Sequence, residues 1–287
     1  MTRFLIWVTT FQAGLAVPEI SGGASRGGHP LRRVRSGGRQ GRAAVTQVDL
    51  EAVSQAEAER DRRAERILDA AGELLVAWGY PRVTVGDIAR RAGVGKGTVY
   101  LHFTTKEVLF LTVLLRARSR MVERFVQEIR ADPLAVLPSR VAAAAYLWVH
   151  EDPIVRAMFL GDPDTLGTLS RSAAHVIGDL MEVRERTLDG YFRLLREHGL
   201  IDPGPSPAAQ RHAYLAVLTG FLMIEPMLPS GVPSVADNAD MVAHVVRAAF
   251  ETPRAPEEAA AVAPRVADLH QSLLDRLNEE IGRQKRI

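Results

Sequence analysis

Residues Thr84 to Phe103 read TVGDIARRAGVGKGTVYLHF, and this stretch decides the fold. Thr84 is a helix N-cap residue, and Asp87 three positions on completes a reciprocal capping box. Val85, Ile88, Ala89 and Ala92 fall on one helical face. Ala89 is small enough for a second helix to cross it closely. Gly93, four residues later, is the residue type that takes a positive φ without strain, so a tight turn is expected there. A short helix from about Lys96 to His102 follows, turning Val94, Val99 and Phe103 inward. Two helices crossing at a small residue and joined by a glycine turn make a helix-turn-helix. The second helix leaves Lys96, Thr98, Tyr100 and His102 on its other faces. Those side chains suit phosphate contacts, base-edge hydrogen bonds and thymine-methyl contacts in a major groove. A plain helical hairpin inside an all-α core is the competing reading, and Tyr100 is the residue that fits it best.

Working outward, the pattern is helical throughout. Upstream, Ile67, Ala71, Leu74, Leu75 and Trp78 form one stripe, with Gly79 as C-cap and Pro81 beyond it. Downstream, Thr104 and Glu107 form a second capping-box pair that opens a long helix through Leu111, Leu115, Val122 and Ile129. Asp132-Pro133 ends it. Helices are expected at about 134–150, 153–160, 164–199, 207–228 and 234–251, divided by proline-containing breaks. The stretch 252–264, ETPRAPEEAAAVAP with its preceding residue, reads as a linker. A last amphipathic helix carries Val266, Leu269, Leu273, Leu277 and Ile281. The expected organisation is an all-α chain. Residues 1–56 form an unstructured basic extension or follow from a start placed too far upstream. A three-helix DNA-binding domain spans 57–110, a larger helical domain 111–252, and a linker with a C-terminal helix 253–287.

The string Lys96-Gly97-Thr98-Val99-Tyr100, with Ile67-Leu68-Asp69-Ala70-Ala71, Gly79-Tyr80, Thr84-Val85, Asp87-Ile88-Ala89, Ala92-Gly93-Val94, His102-Phe103 and Lys106-Glu107, resembles the N-terminal domain of the TetR family of transcriptional regulators. The likeness covers about fifty residues, 62–112. It implies a homodimer that binds a palindromic operator in double-stranded DNA, as a repressor released by a small hydrophobic effector. It places Thr84, Gly95, Lys96, Thr98, Tyr100, His102 and Lys106 at the DNA, with Lys106 meeting a phosphate. Two departures thin that contact set. Gly95 stands where the family often has Ser, and Gly86 where it often has a longer polar side chain.

In the larger domain, Tyr146, Trp148, His150, Met158, His175, Met181, Phe221 and Glu225 are the candidate pocket residues that the resemblance implies. Glu225 lies in the apolar run Phe221–Leu228. It either reaches solvent, pairs across a dimer or meets a cationic ligand, and solvent exposure is the first expectation. The segments 207–228 and 234–251 offer Tyr214, Leu215, Leu218, Phe221 and Leu222, and Val242, Val245, Val246 and Phe250, to an intersubunit bundle.

Bulk properties add exclusions. The chain has 287 residues, a net charge of +2 and no cysteine. Disulfides, thiolate metal sites and cysteine nucleophiles are therefore excluded. No HExxH, phosphate-cradling glycine loop or nucleophile–base–orienter set can be assembled, so an enzyme is not expected, nor a cofactor or metal. The apolar run Phe4–Val17 resembles a weak secretory signal, but Thr9, Thr10 and Gln12 interrupt it and it is too short to span a bilayer. No membrane association is expected, and a cytoplasmic location is. Arg26, Arg32, Arg33, Arg35, Arg39 and Arg42 occur with no acidic residue between Glu19 and Asp49. Such an arm can track DNA phosphates, though tails of this kind are more often merely solvated. The alternatives are therefore a nonspecific DNA binder acting through this arm, a helical enzyme, or a helical interaction module.

Overall fold

The computed structural model describes residues 47–169, 178–204, 206–228 and 233–285. Among these the chain is helical, and its one β feature is an isolated antiparallel bridge between Ile201 and Glu251. The helices are α1 (Gln47–Trp78), α2 (Val85–Ala92), α3 (Lys96–His102), α4 (Lys106–Ala131), α5 (Pro138–Glu151), α6 (Pro153–Leu160), α7 (Pro163–Leu166), α8 (Gly178–Glu197), α9 (Pro207–Ile224), α10 (Val235–Phe250) and α11 (Ala255–Gln284). Short 3₁₀ turns cover Pro133–Val136 and Glu225–Met227.

Helix α1 begins at Gln47, ten residues before the expected domain start at 57, so residues 47–56 are helix rather than unstructured extension. The arginine-rich arm and the Phe4–Val17 run lie outside the described residues. Ile67, Leu68, Ala71 and Leu75 are fully buried on α1, whereas Trp78, expected on that stripe, is exposed. At three residues beyond Leu75 it has passed the end of the surface that α1 covers. Gly79 stops the helix with φ +73°. A Cβ here would stand 2.2 Å from the Asp164 carbonyl oxygen, so glycine is required by both conformation and space. The turn docks through Tyr80 N–H to the Thr165 carbonyl, at 2.8 Å. In this way α7 of the larger domain holds the α1–α2 corner.

Helix α4 is the spine. Thirteen of its residues are buried, from Leu109 to Ile129. Its N-cap is Thr105, whose hydroxyl accepts from Val108 N–H at 3.1 Å, not Thr104 as the sequence suggested. Arg116 ties it to α1 through Glu65 and Asp69, each at 2.7 Å.

Most of the expected linker at 252–264, from Ala255 on, is instead the first third of α11, which runs unbroken across Pro264 and packs along α4 and α8. Physical reasons are visible. Pro256 occupies the first turn, where its missing N–H costs nothing, and the alanine-rich run has the highest helix propensity. Pro264 removes the partner of the Ala260 carbonyl, but both residues lie on the exposed side, where water replaces the bond. Ala255, Ala259, Val262, Ala263 and Val266 are buried on the other side, and their burial holds the helix through the break.

Gly79→Ala should lower unfolding free energy by about 2–4 kcal/mol, from left-handed strain plus overlap. Gly282→Ala, which meets nothing within 4 Å, should raise it by about 0.5–1 kcal/mol. Urea denaturation of both variants measures the contrast. Equal midpoints would show that the Gly79 turn is not the close approach described.

Candidate nucleic-acid interface and ligand cavity

The reading head is built by caps. Thr84 N–H and hydroxyl both donate to Asp87 Oδ2, at 3.1 and 2.6 Å, and Thr84 Oγ1 accepts from Asp87 N–H at 3.2 Å. These bonds, led by the Thr84 hydroxyl, hold the Asp87 carboxyl below its usual range, and Arg90 at 2.5 Å adds to them. The Thr84 hydroxyl proton is thus committed to the cap. Gly93 closes α2 at φ +66° with open space around it, so conformation alone calls for glycine there. Val94 N–H returns to the Ala89 carbonyl at 3.0 Å, drawing the two helices together at the small residue.

Helix α3 starts on Gly95, which has no capping side chain. Val99 and Phe103 are buried, as the spacing requires. Lys96, Gly97, Tyr100 and Leu101 are exposed and Thr98 is half-buried. Tyr100 is 46% exposed, which removes it from the core reading. His102 is the correction. It is only 3% exposed, packed inward three residues after Val99, and its Nδ1 has no hydrogen-bond partner. Burial pushes its imidazole below the ordinary range, and Arg60 and Arg63 add to that. Leu101, 68% exposed, takes the outward place expected for His102. The buried Val99 was the available signal, because position 102 lies three residues on along the same face of α3.

Lys106 does not stand free at the surface. Its ammonium donates to the Tyr80 carbonyl at 2.7 Å and lies 4.2 Å from the Tyr80 ring centre, and desolvation lowers its basicity. Two of its three N–H bonds remain for another acceptor. Glu107, expected to cap α4, accepts the Tyr80 hydroxyl at 2.9 Å. The start of α4 therefore grips the α1–α2 corner from two sides.

The larger domain forms a partly open cavity of about 190 Å³ between α4, α5, α6, α8, α9 and α11. Trp148 and Met158 line it, as the sequence reading had them. Tyr146, His150, Phe221 and Glu225 do not. Phe221 packs on the core instead. His175 lies outside the described residues, as does the side chain of Met181. Glu225 is not solvent-exposed. Its side chain is 14% accessible and accepts the Tyr146 hydroxyl, with His150 Nε2 at 3.1 Å and Arg156 at 3.4 Å. Burial alone would raise its carboxyl, but Tyr146, His150 and Arg156 together hold it below the usual range. It pairs within its own chain. Sequence reasoning missed Arg118, Met121, Arg184 and His270 as wall residues. His270 and Leu273 come from α11, so the C-terminal helix belongs to the cavity-bearing domain.

The bulky residues offered for an intersubunit bundle are largely spent inside the chain, since Tyr214, Leu218, Leu222, Val242, Val246 and Phe250 are buried. The exposed apolar surface on these elements is Met223, Ile224, Met227, Leu228, Val235 and Met241, continued along α9 by Ala213, Ala216 and Gly220.

His270 sits edge-on to Phe125 and Tyr191, with Nδ1 2.9 Å from the Val266 carbonyl, and burial pushes its imidazole down to about 4. The unfolded chain, with an ordinary histidine near 6.5, binds the proton first as pH falls. Stability is therefore lost between about pH 6.5 and 4, by up to about 3 kcal/mol from this residue, and His102 acts in the same direction. Denaturant titrations of His270→Phe from pH 7 to 4 should show a correspondingly shallower acid limb. An unchanged limb would mean that His270 is not held neutral in the folded state.

Comparison with known proteins agrees with this geometry. The model for bacterial regulatory proteins of the tetR family matches residues 67–113. The HTH-type transcriptional repressor BepR of Brucella suis is 30% identical over 173 residues, which are 58% of this chain and 81% of that protein. The A-factor receptor protein of Streptomyces griseus is 27% identical over 165 residues, 55% of this chain and about half (53%) of that protein. Among solved structures, the regulator FadR of Bacillus subtilis, in complex with stearoyl-CoA, superposes with a TM-score of 0.51 at 20% identity, over 63% of this chain and 96% of that one. This last likeness is one of fold. A helix-turn-helix gripped by a long central helix, a matching family model over it and a relative covered over four-fifths of its length lead to one conclusion: the chain belongs to the tetR family of bacterial regulatory proteins, a family of DNA-binding transcriptional regulators.

Proposed function

We propose that the chain is a homodimeric cytoplasmic repressor that reads a palindromic operator with α3 and lets go when a small effector enters the cavity. One observation carries this reading: α4 serves both places. Its first turn grips Tyr80 beneath the reading head, and its middle supplies Arg118, Met121, Val122 and Phe125 to the cavity wall. Lys106 and Met121 are about 22 Å apart along a single helix, at ~1.5 Å per residue. A ligand that prefers one position of α4 would bias the head as well, because α7 and α4 both hold its corner.

At the DNA, Lys96 and the remaining Lys106 protons take phosphates, with the backbone N–H group at Gly95. Thr98, Tyr100 and Leu101 face the bases. Two copies of α3 reach successive major grooves only if a dimer spaces them about 34 Å apart. The exposed strip from Ala213 to Met227 supports that assembly, since a large apolar patch is costly to leave in water.

Selection of bound sequences from random DNA should recover a palindrome with half-sites one helical turn apart. Tyr100→Ala should cost about 1–3 kcal/mol on that site and little on random duplex. Lys96→Ala should weaken both alike and lower the salt slope by about one. Ile224→Asp should give a monomer by sedimentation, with unchanged helicity and at least tenfold weaker operator binding. Recovery of unordered sequences, or full operator affinity in a monomer, would overturn the reading.

A further inference from the structure

The cavity wall is mostly apolar, from residues such as Phe125, Trp148, Met158 and Leu218, yet two guanidinium groups enter it, Arg118 from α4 and Arg184 from α8. Their surroundings differ. Arg184 pairs with Glu185 at 3.1 Å, and Glu185 also takes Arg211 at 2.9 Å, which in turn holds Asp189 at 2.8 Å. Those two arginines and two carboxylates balance. Arg118 has no salt bridge among the described residues, Glu185 acting on it only through space, and its Nε is sealed from solvent without a hydrogen-bond partner. The rest of the polar wall is neutral. Thr187 donates its hydroxyl to the Val183 carbonyl, and His270 is uncharged at neutral pH. Desolvation, with Arg184 nearby, pushes the Arg118 guanidinium down to about 9, and it remains a cation at neutral pH.

An unpaired charge inside an apolar wall costs several kcal/mol, and a partner of opposite charge recovers much of it. Arginine presents a planar fork that matches a carboxylate in two parallel bonds. The volume lies below the roughly 300–1,000 Å³ of pockets for drug-sized ligands, which favours a short or medium chain over a large ring system. We infer that the cavity takes an amphipathic monoanion, an apolar chain ending in a carboxylate, with Arg118 as the partner of the carboxylate and Arg184 as a second donor. This deepens, and rests on, the effector reading of the same cavity. It excludes cationic ligands and disfavours neutral ones of the same shape.

The test is calorimetric titration of the full chain with decanoate, 1-decanol and decylamine, each below its aggregation limit, with operator release followed separately by fluorescence anisotropy. Decanoate should bind at least tenfold more tightly than decanol, and decylamine should not bind detectably. Arg118→Met should abolish the preference for decanoate while leaving decanol binding in place and the melting temperature no lower. Arg118→Lys should retain part of the preference, confirming that charge rather than shape is read. Equal affinity for decanoate and decanol, preference for the amine, no binding of decanoate at millimolar concentration, or a preference that survives in Arg118→Met would each overturn the inference. The two readings fail differently. Arg118-dependent decanoate binding without operator release sinks the effector role and leaves the anion site. Release by decanol as effective as release by decanoate does the reverse.

Discussion

Tyr80 is held on both sides by the first turn of α4. Its carbonyl takes the Lys106 ammonium, its hydroxyl is given to Glu107, and its N–H reaches across to Thr165. The three bonds tie the corner to two other segments, α4 and α7, and each would be lost if the α1–α2 corner swung away. Its ring also packs edge-on against Phe110 of α4, at 5.3 Å between centres. Everything functional in the small domain hangs on this corner. Helix α2 starts five residues after Tyr80, and α3 is oriented by its crossing over Ala89. The corner can form only because Gly79 admits the Asp164 carbonyl where any side chain would collide.

The larger domain is sewn to the same helix. Helix α4 is covered along its length by α11, and α11 is bound back to α1 through the Lys285 ion pair with Glu65, a residue that Arg116 also holds. A C-terminal helix that crosses its own proline and still packs for thirty residues adds a wall to the cavity and a brace to the spine. That brace explains why α4 can behave as one rigid body between the cavity and the DNA. Packed interiors shift between discrete arrangements rather than bending smoothly.

Much of this was legible in the sequence, for identifiable reasons. The caps, the glycine turn and the inward face of the helix-turn-helix are local, and local spacing encodes them directly. Thr84–Asp87, Ala89, Gly93 and Val99 all fell where the pattern put them. What failed was non-local. His102 looked polar and therefore outward, but α1 closes over its position. Glu225 looked isolated in an apolar run, but Tyr146, His150 and Arg156 reach it from residues nearly seventy or more positions away. The stretch 252–264 looked like a linker because three prolines weigh heavily in local reading, while the surfaces of α4 and α8 that stabilise most of it as helix are invisible there. Arg118 was hidden for the same reason: an arginine inside a long amphipathic helix ordinarily faces water.

The exchange of His102 for Leu101 on the outer face of α3 changes the surface that this helix offers to DNA in the proposed reading. The reading surface is small and half apolar: Lys96, Gly97, Tyr100 and Leu101 with part of Thr98. Gly95 and Gly97 add no bulk, so the backbone of α3 can approach the groove closely. With one cation and no amide side chain, this face lacks the paired donors that fix guanine or adenine by two bonds. Leu101 and the Tyr100 ring are suited to thymine methyl groups, which are weaker and less directional contacts. A head with so few strong base contacts would, in the proposed dimer, draw its discrimination from the spacing of two heads, a spacing that the larger domain would set. Such a reader is sensitive to small displacements of α4, and that sensitivity is what an effector-controlled repressor requires.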